Sequence, residues 1–203
     1  MKILVLDNYD SFTYNLVQYL KEICTEQMDV FRNDAISLDE VDRYDVIVLS
    51  PGPGIPSEAG IMPELIQRYA ATKSIFGVCL GQQAIGEAFG GKLLNLKTVY
   101  HGIATPIHVT DREEALFEEL PDSFTVGRYH SWVVDRLDFP EILQITSVDS
   151  EDTVMSLRHK EYHVKGVQFH PESIMTEYGK EMLQNFLREA RQITESRQLS
   201  QAI

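Results

Sequence analysis

The sequence is short of cysteine: Cys24 and Cys79 are its only two, and they form no C-x-x-C pair. Nothing therefore suggests a disulfide framework, and a reducing compartment is expected. Long apolar runs are missing as well. No stretch reaches the 18 residues of a membrane-spanning helix, and Ile3-Leu4-Val5-Leu6 behind Met1-Lys2 is too short for a signal sequence. Positive charge is scarce, with 18 Lys and Arg against 31 Asp and Glu and a net charge of −13. Nucleic acid and anionic membrane, which need a basic face, are thereby disfavoured as partners. Internal repeats and low-complexity tracts are absent too. These absences together describe a soluble cytoplasmic protein. Its 203 residues suffice for one sizeable core. We read a single domain over residues 1–195 and a polar tail, 196–203, that should fray.

What is present is an alternation of strand and helix. Ile3 to Leu6 and Val46 to Leu49 are apolar without alternation, as strands covered on both faces are. Between them a helix carries Phe12, Leu16, Leu20 and Ile23 on one face, with Asp10 or Ser11 as its N-cap. Val30-Phe31 suggests a second strand, and Ser37-Leu38-Asp39-Glu40 has the form of a capping box. From Lys92 to Phe169 the pattern changes to short β-like runs, at Thr105–Val109, Phe124–Tyr129, Ile142–Val148, Val154–Leu157 and Val164–Phe169. Helical periodicity is scarce there apart from the acidic segment Arg112–Leu120. A last helix from about Thr176 carries Met182, Phe186, Ala190 and Ile193. The fold class is therefore α/β: a doubly wound, mostly parallel sheet with helices on both faces and additional antiparallel strands.

Three stretches carry chemistry. In Ser74–Gly91 an apolar strand runs into a helix read from Gln82 to Phe89, and Gly77 and Gly81 flank Cys79 as G-x-C-x-G. That is the spacing of a nucleophile elbow, a strand-to-helix turn too tight for side chains at its flanks. The sulfur would sit at a helix N-terminus, where an anion is favoured. A small buried hydrophobe is the competing reading of Cys79. After Leu49 comes Ser50-Pro51-Gly52-Pro53-Gly54-Ile55-Pro56, a stiff loop with few backbone donors. The Gly54 amide suits an oxyanion hole together with the amide of Leu80, and an ordinary Pro/Gly turn is the alternative. In Gly166-Val167-Gln168-Phe169-His170-Pro171-Glu172-Ser173, residues two apart on an extended segment share a side. Glu172 could then fix the tautomer of His170, and His170 could exchange a proton with the thiol. His159 and His163 are four apart but lie in a hairpin-like segment without a third ligand, so no metal site is expected.

With these residues assembled, the sequence resembles a class I, triad-type glutamine amidotransferase along essentially its whole length. The three motifs stand in that family's order. The run Asp7-Asn8-Tyr9-Asp10-Ser11-Phe12-Thr13-Tyr14-Asn15 is further similar to the subunits serving chorismate-utilising synthases, those of anthranilate and of 4-amino-4-deoxychorismate synthesis. The resemblance implies a flavodoxin-like fold and a catalytic triad of Cys79, His170 and Glu172. It also implies an oxyanion hole at Gly54 and Leu80 and a glutamine site of Gly52, Pro53, Gly54, Gln83, Ser131 and Trp132, the last pair acting mainly through the backbone. L-glutamine would be hydrolysed to glutamate and ammonia, and the ammonia passed to a synthase component I that adds it to chorismate, giving anthranilate for tryptophan. No cofactor is implied for this chain, Mg²⁺ being expected only in the partner synthase. His101-Gly102 also fits, while Ile103 stands where these subunits often have lysine. Three alternatives are carried forward: service to the aminodeoxychorismate (folate) branch or to both, a free-standing γ-glutamyl cysteine hydrolase, and a non-catalytic flavodoxin-like binding module.

Overall fold

The computed structural model describes residues 1–201. Strands β1 (Lys2–Asp7), β2 (Gln27–Arg32), β3 (Val46–Leu49), β4 (Ser74–Val78) and β11 (Val164–Val167) form the parallel half of one nine-stranded sheet, in the order β2-β1-β3-β4-β11. Strands β10 (Val154–His159), β9 (Leu143–Val148), β6 (Ile103–Val109) and β7 (Ser123–Arg128) continue it antiparallel. A separate antiparallel pair, β5 (Leu93–Asn95) with β8 (Trp132–Val134), was not foreseen from sequence.

The missing alternation in β1, β3 and β4 has the expected cause, since both faces of these strands are covered. Ile3, Val5, Val46, Val48, Phe76 and Val78 pack on α1 (Thr13–Ile23) and α5 (Gly179–Gln201). Leu4, Leu6, Ile47, Leu49 and Ile75 pack on α2 (Leu38–Val41), α3 (Met62–Tyr69) and α4 (Leu80–Ala88). Each such side chain, taken fully out of water, contributes roughly 1.5–3 kcal/mol. The doubly wound architecture is as read, and the Ser37/Glu40 capping box opens α2.

Five local expectations are corrected. Asp10 does not cap α1. Its carboxylate accepts from Phe12 N at 2.7 Å and its carbonyl from Thr13 N, a tight turn that makes Phe12 the N-cap residue. Helix α4 begins at Leu80 rather than Gln82, because the elbow passes directly into it. Helix α5 begins at Gly179 rather than near Thr176, since Thr176 is drawn to the His170 carbonyl. It then continues through 196–201, where fraying was expected: Arg197 anchors the helix by donating to the Ala71 and Thr72 carbonyls. Residues 202 and 203 of that tail lie outside the described residues. The acidic segment at 112–120 holds only a three-residue 3₁₀ turn, Ala115–Phe117.

Candidate active site

The site forms where β4 and β11 end side by side. Val78 is in register with Val167, and Cys79 N donates to the Val167 carbonyl at 2.8 Å, so the residues after each strand emerge together. Cys79 has φ +52° and ψ −99°, a strained conformation for a residue with a side chain. The turn leaves no room at its flanks. A Cβ on Gly77 would lie 2.5 Å from the Gly81 carbonyl carbon, and one on Gly81 2.8 Å from Leu49 Cβ. The paired glycines are thereby explained, and Cys79 stands at the head of α4, whose first N–H groups lack intrahelical partners.

His170 and Glu172 follow β11 on a turn rather than on an extended segment, for Ser173 N donates back to the His170 carbonyl. The pairing expected from strand alternation is met by another geometry. His170 Nδ1 lies 2.7 Å from Glu172 Oε1, and both side chains are buried. The rings of Tyr129 and Phe12 meet the imidazole edge-on at 4.8 and 5.5 Å. Burial alone would drive the imidazole toward neutrality. Hydrogen-bonding and charge interactions with Cys79 and Glu172 outweigh it, and the His170 pKa is raised well above its ordinary 6.5. His170 Nε2 is buried and makes no hydrogen bond among the described residues. A sulfur, an imidazole and a carboxylate in that order can run nucleophilic acyl chemistry with acid–base assistance.

The proline-glycine loop sits over the head of α4. Gly52 lies tight against Asn8 and Leu80, where a Cβ would come within 2.7 Å of both. Pro53, Leu80, Asn8 and Glu58 line a cleft of about 340 Å³. Gly54 has φ +73°, and Glu58 occupies the space its side chain would take. Neither the Gly54 nor the Leu80 amide is used in a hydrogen bond within the described chain. Both are open donors, as an anion-binding hole requires.

Gln83 is one helical turn beyond Cys79, its N–H bonded to the Cys79 carbonyl at 3.1 Å. Its side-chain Nε2 donates to the Trp132 carbonyl at 2.8 Å and to Gln168 Oε1 at 3.3 Å. Trp132, the first residue of β8, and Ser131 before it thus stand beside Gln83, and the contact is to the backbone of Trp132. Ser131 and Trp132 are only partly buried. Residues 4–190 match the family model described as glutamine amidotransferase class-I. The chain belongs to the class I glutamine amidotransferase family.

Among the relatives of this amidotransferase, "Anthranilate synthase component 2" of Thermus thermophilus is 50% identical over 192 residues, covering 92% of each chain. "Aminodeoxychorismate/anthranilate synthase component 2" of Bacillus subtilis is 46% identical over 187 residues, 91% of this chain and 95% of that one. A crystal structure of a putative GMP synthase protein from Thermoplasma acidophilum superposes with a TM-score of 0.87 at 27% identity, covering 98% of each chain.

Sequence reasoning missed several residues of the amidotransferase site. Gln168 donates from Nε2 to Cys79 Sγ at 3.5 Å. Its signal was available, since it lies two before His170 and directly beyond the register pair Val78–Val167. Phe12, in the N-terminal run already singled out, and Tyr129, at the end of a predicted strand, box the imidazole but carried no assigned role. Arg128 and Asp149 behind Trp132 had no local signal, while His130 stood beside Ser131 and Trp132 without a role of its own. Among the described residues no group of three or more His, Cys, Asp or Glu could hold a metal ion, and no helix is long and apolar enough to cross a membrane.

Proposed function

We propose that this amidotransferase hydrolyses L-glutamine and delivers the ammonia to a synthase component I that aminates chorismate to anthranilate. The observation that carries the chemistry is the strained Cys79 at the strand end adjoining the buried His170–Glu172 pair. The pathway rests on the kinship to anthranilate synthase component 2.

Cys79 gives its thiol proton to His170 and attacks the side-chain amide carbon of glutamine through Sγ, and the amides of Gly54 and Leu80 receive the developing oxyanion. The raised pKa of His170 keeps a proton ready for the departing ammonia, and Glu172 holds that imidazolium in place. Water, activated by the now neutral imidazole, splits the γ-glutamyl thioester to glutamate and frees the thiol. Gln83 has both amide hydrogens committed to Trp132 and Gln168, which leaves its oxygen to accept from the substrate ammonium. Gly52, Pro53, Ser131 and Trp132 complete the pocket through backbone groups. No cofactor is assigned to this chain, and any Mg²⁺ requirement belongs to the synthase. Two free thiols accord with a cytoplasmic setting.

A second acceptor synthase is favoured by one observation, the double name of the Bacillus subtilis relative. The deciding experiment incubates the chain with each synthase, chorismate, glutamine and Mg²⁺ and identifies the aminated product. Anthranilate supports the main reading, aminodeoxychorismate the second. Glutaminase activity that is full alone and indifferent to a bound synthase supports a free-standing hydrolase and overturns both. A diazo-ketone glutamine analogue should label Cys79 and spare Cys24. Failure to label contradicts the nucleophile and favours a non-catalytic binding module.

A further inference from the structure

Behind the glutamine site lies a buried cation that the chemistry above does not use. Arg128, at the end of β7, is 1% exposed. Its Nη1 donates to Asp149 Oδ2 at 2.7 Å, its Nε to His130 Nε2 at 3.1 Å, and the Tyr100 ring lies 3.6 Å from its guanidinium carbon. Its Nη2 is buried with no partner. Stability is a poor reason for such an arrangement, because a buried ion pair is often replaceable by apolar side chains without loss. A positional reason follows from donor–acceptor logic.

A guanidinium has donors only, so His130 Nε2 must be the acceptor and its proton must sit on Nδ1. Nδ1–H then donates to the Trp132 carbonyl at 3.2 Å. That same carbonyl receives Gln83 Nε2, and Gln83 leads through Gln168 to the Cys79 sulfur. Arg128 and His130 donate toward the Trp132 carbonyl from one side and Gln83 donates into it from the other, while Gln83 and Gln168 donate onward to the Cys79 sulfur. Burial first, and the neighbouring Arg128 charge second, lower the His130 pKa to about 3, so the imidazole stays in this neutral form.

We propose that Arg128 is a positioning residue of the glutamine site: by fixing the Nδ1–H tautomer of His130 it holds the Trp132 carbonyl, and with it the Ser131–Trp132 backbone and Gln83, in the geometry that binds the substrate's amino-acid end. This rests on the glutamine-hydrolysing reading above.

The test compares two substitutions of His130 in the synthase complex. An asparagine amide can place its nitrogen where Nδ1 stands, whereas a glutamine amide reaches toward the Nε2 position. His130→Gln should raise the KM for glutamine roughly tenfold, the worth of one lost hydrogen bond, with kcat within about threefold of wild type. His130→Asn should bring the KM back to within about threefold of wild type. Iodoacetamide, which lacks an amino-acid end, should alkylate Cys79 at the same rate in all three proteins. Should His130→Gln not fold, as judged by its melting transition, the pair Arg128→Met with Asp149→Asn, which removes the tautomer lock from the other side, should raise the KM in the same way. Equal KM values in the two His130 variants, an effect on kcat alone, or altered alkylation would overturn the inference. Wild-type complex that fails to hydrolyse glutamine would instead overturn the functional reading beneath it.

Discussion

The two halves of the sheet are built on different physics. In the parallel half, β1, β3, β4 and β11 bury mostly apolar side chains, with Asp7, Ser74 and Lys165 the exceptions, and the proposed nucleophile is presented chiefly by backbone shape. In the antiparallel half, β7 and β9 and the loop after β9 bury Arg128, Thr146, Ser147 and Asp149, and β10 adds Ser156, whose hydroxyl pairs with those of Thr146 and Ser147 at 2.6 Å. The first half supplies the proposed nucleophile, held by steric exclusion. The second supplies the proposed recognition surface, held by a connected polar chain. A scaffold of the first kind fails by clashing, one of the second kind by losing a partner, and their defects should look different in the laboratory.

The sharpest contrast is chemical. Cys79→Ser should lower glutamine-dependent product formation by more than about 10³-fold while ammonia-dependent synthesis by the partner continues. Retained glutamine-dependent activity would remove the parallel half from the chemistry. Next comes Glu172→Gln, which keeps the shape but not the charge and should cost roughly 10²-fold in kcat. A change in KM alone would reassign Glu172 to binding. Gly77→Ala should destabilise the fold by about 2–4 kcal/mol in denaturant titration, because its Cβ would press on the backbone at Gly81. If that variant is as stable as wild type, steric exclusion does not shape the elbow.

On the polar side the effect is smaller and depends on pH. The folded His130 has its pKa lowered to about 3, against about 6.5 in an unfolded chain. Between those values the unfolded chain binds a proton that the folded one refuses, so stability should fall as pH drops from about 6.5 toward 3. His130→Asn should flatten that part of the stability curve. An unchanged curve would show that His130 is not held neutral. The smallest effect is expected at Leu137, which is 92% exposed: Leu137→Ala should stay within about 0.5 kcal/mol of wild type.

The same division decided what could be read from the sequence. The elbow was legible because its requirements are local: two glycines at fixed spacing around one cysteine, after a strand without alternation. The proline-glycine loop and His170–Glu172 were legible for the same reason, although the latter pair is set by a turn at Ser173 and not by strand alternation. The link from Arg128 to Asp149 spans 21 residues, and that from Gln83 to Trp132 spans 49. Neither leaves a periodic trace, because a buried hydrogen bond fixes where two side chains meet and not how far apart they stand in the chain. The extension of α5 past residue 195 was hidden likewise, its anchor being Arg197 reaching to residues 71 and 72.

The central claim is that the parallel register of β4 and β11 sets the Cys79 sulfur toward the imidazole of His170, so that the sulfur helps hold the ring's proton. NMR titration of the His170 ring in the wild-type chain and in Cys79→Ala tests it directly. The account predicts an imidazole that stays protonated well above pH 6.5 in the wild type and loses its proton at distinctly lower pH once the thiol is gone. The same titration midpoint in both proteins would contradict it.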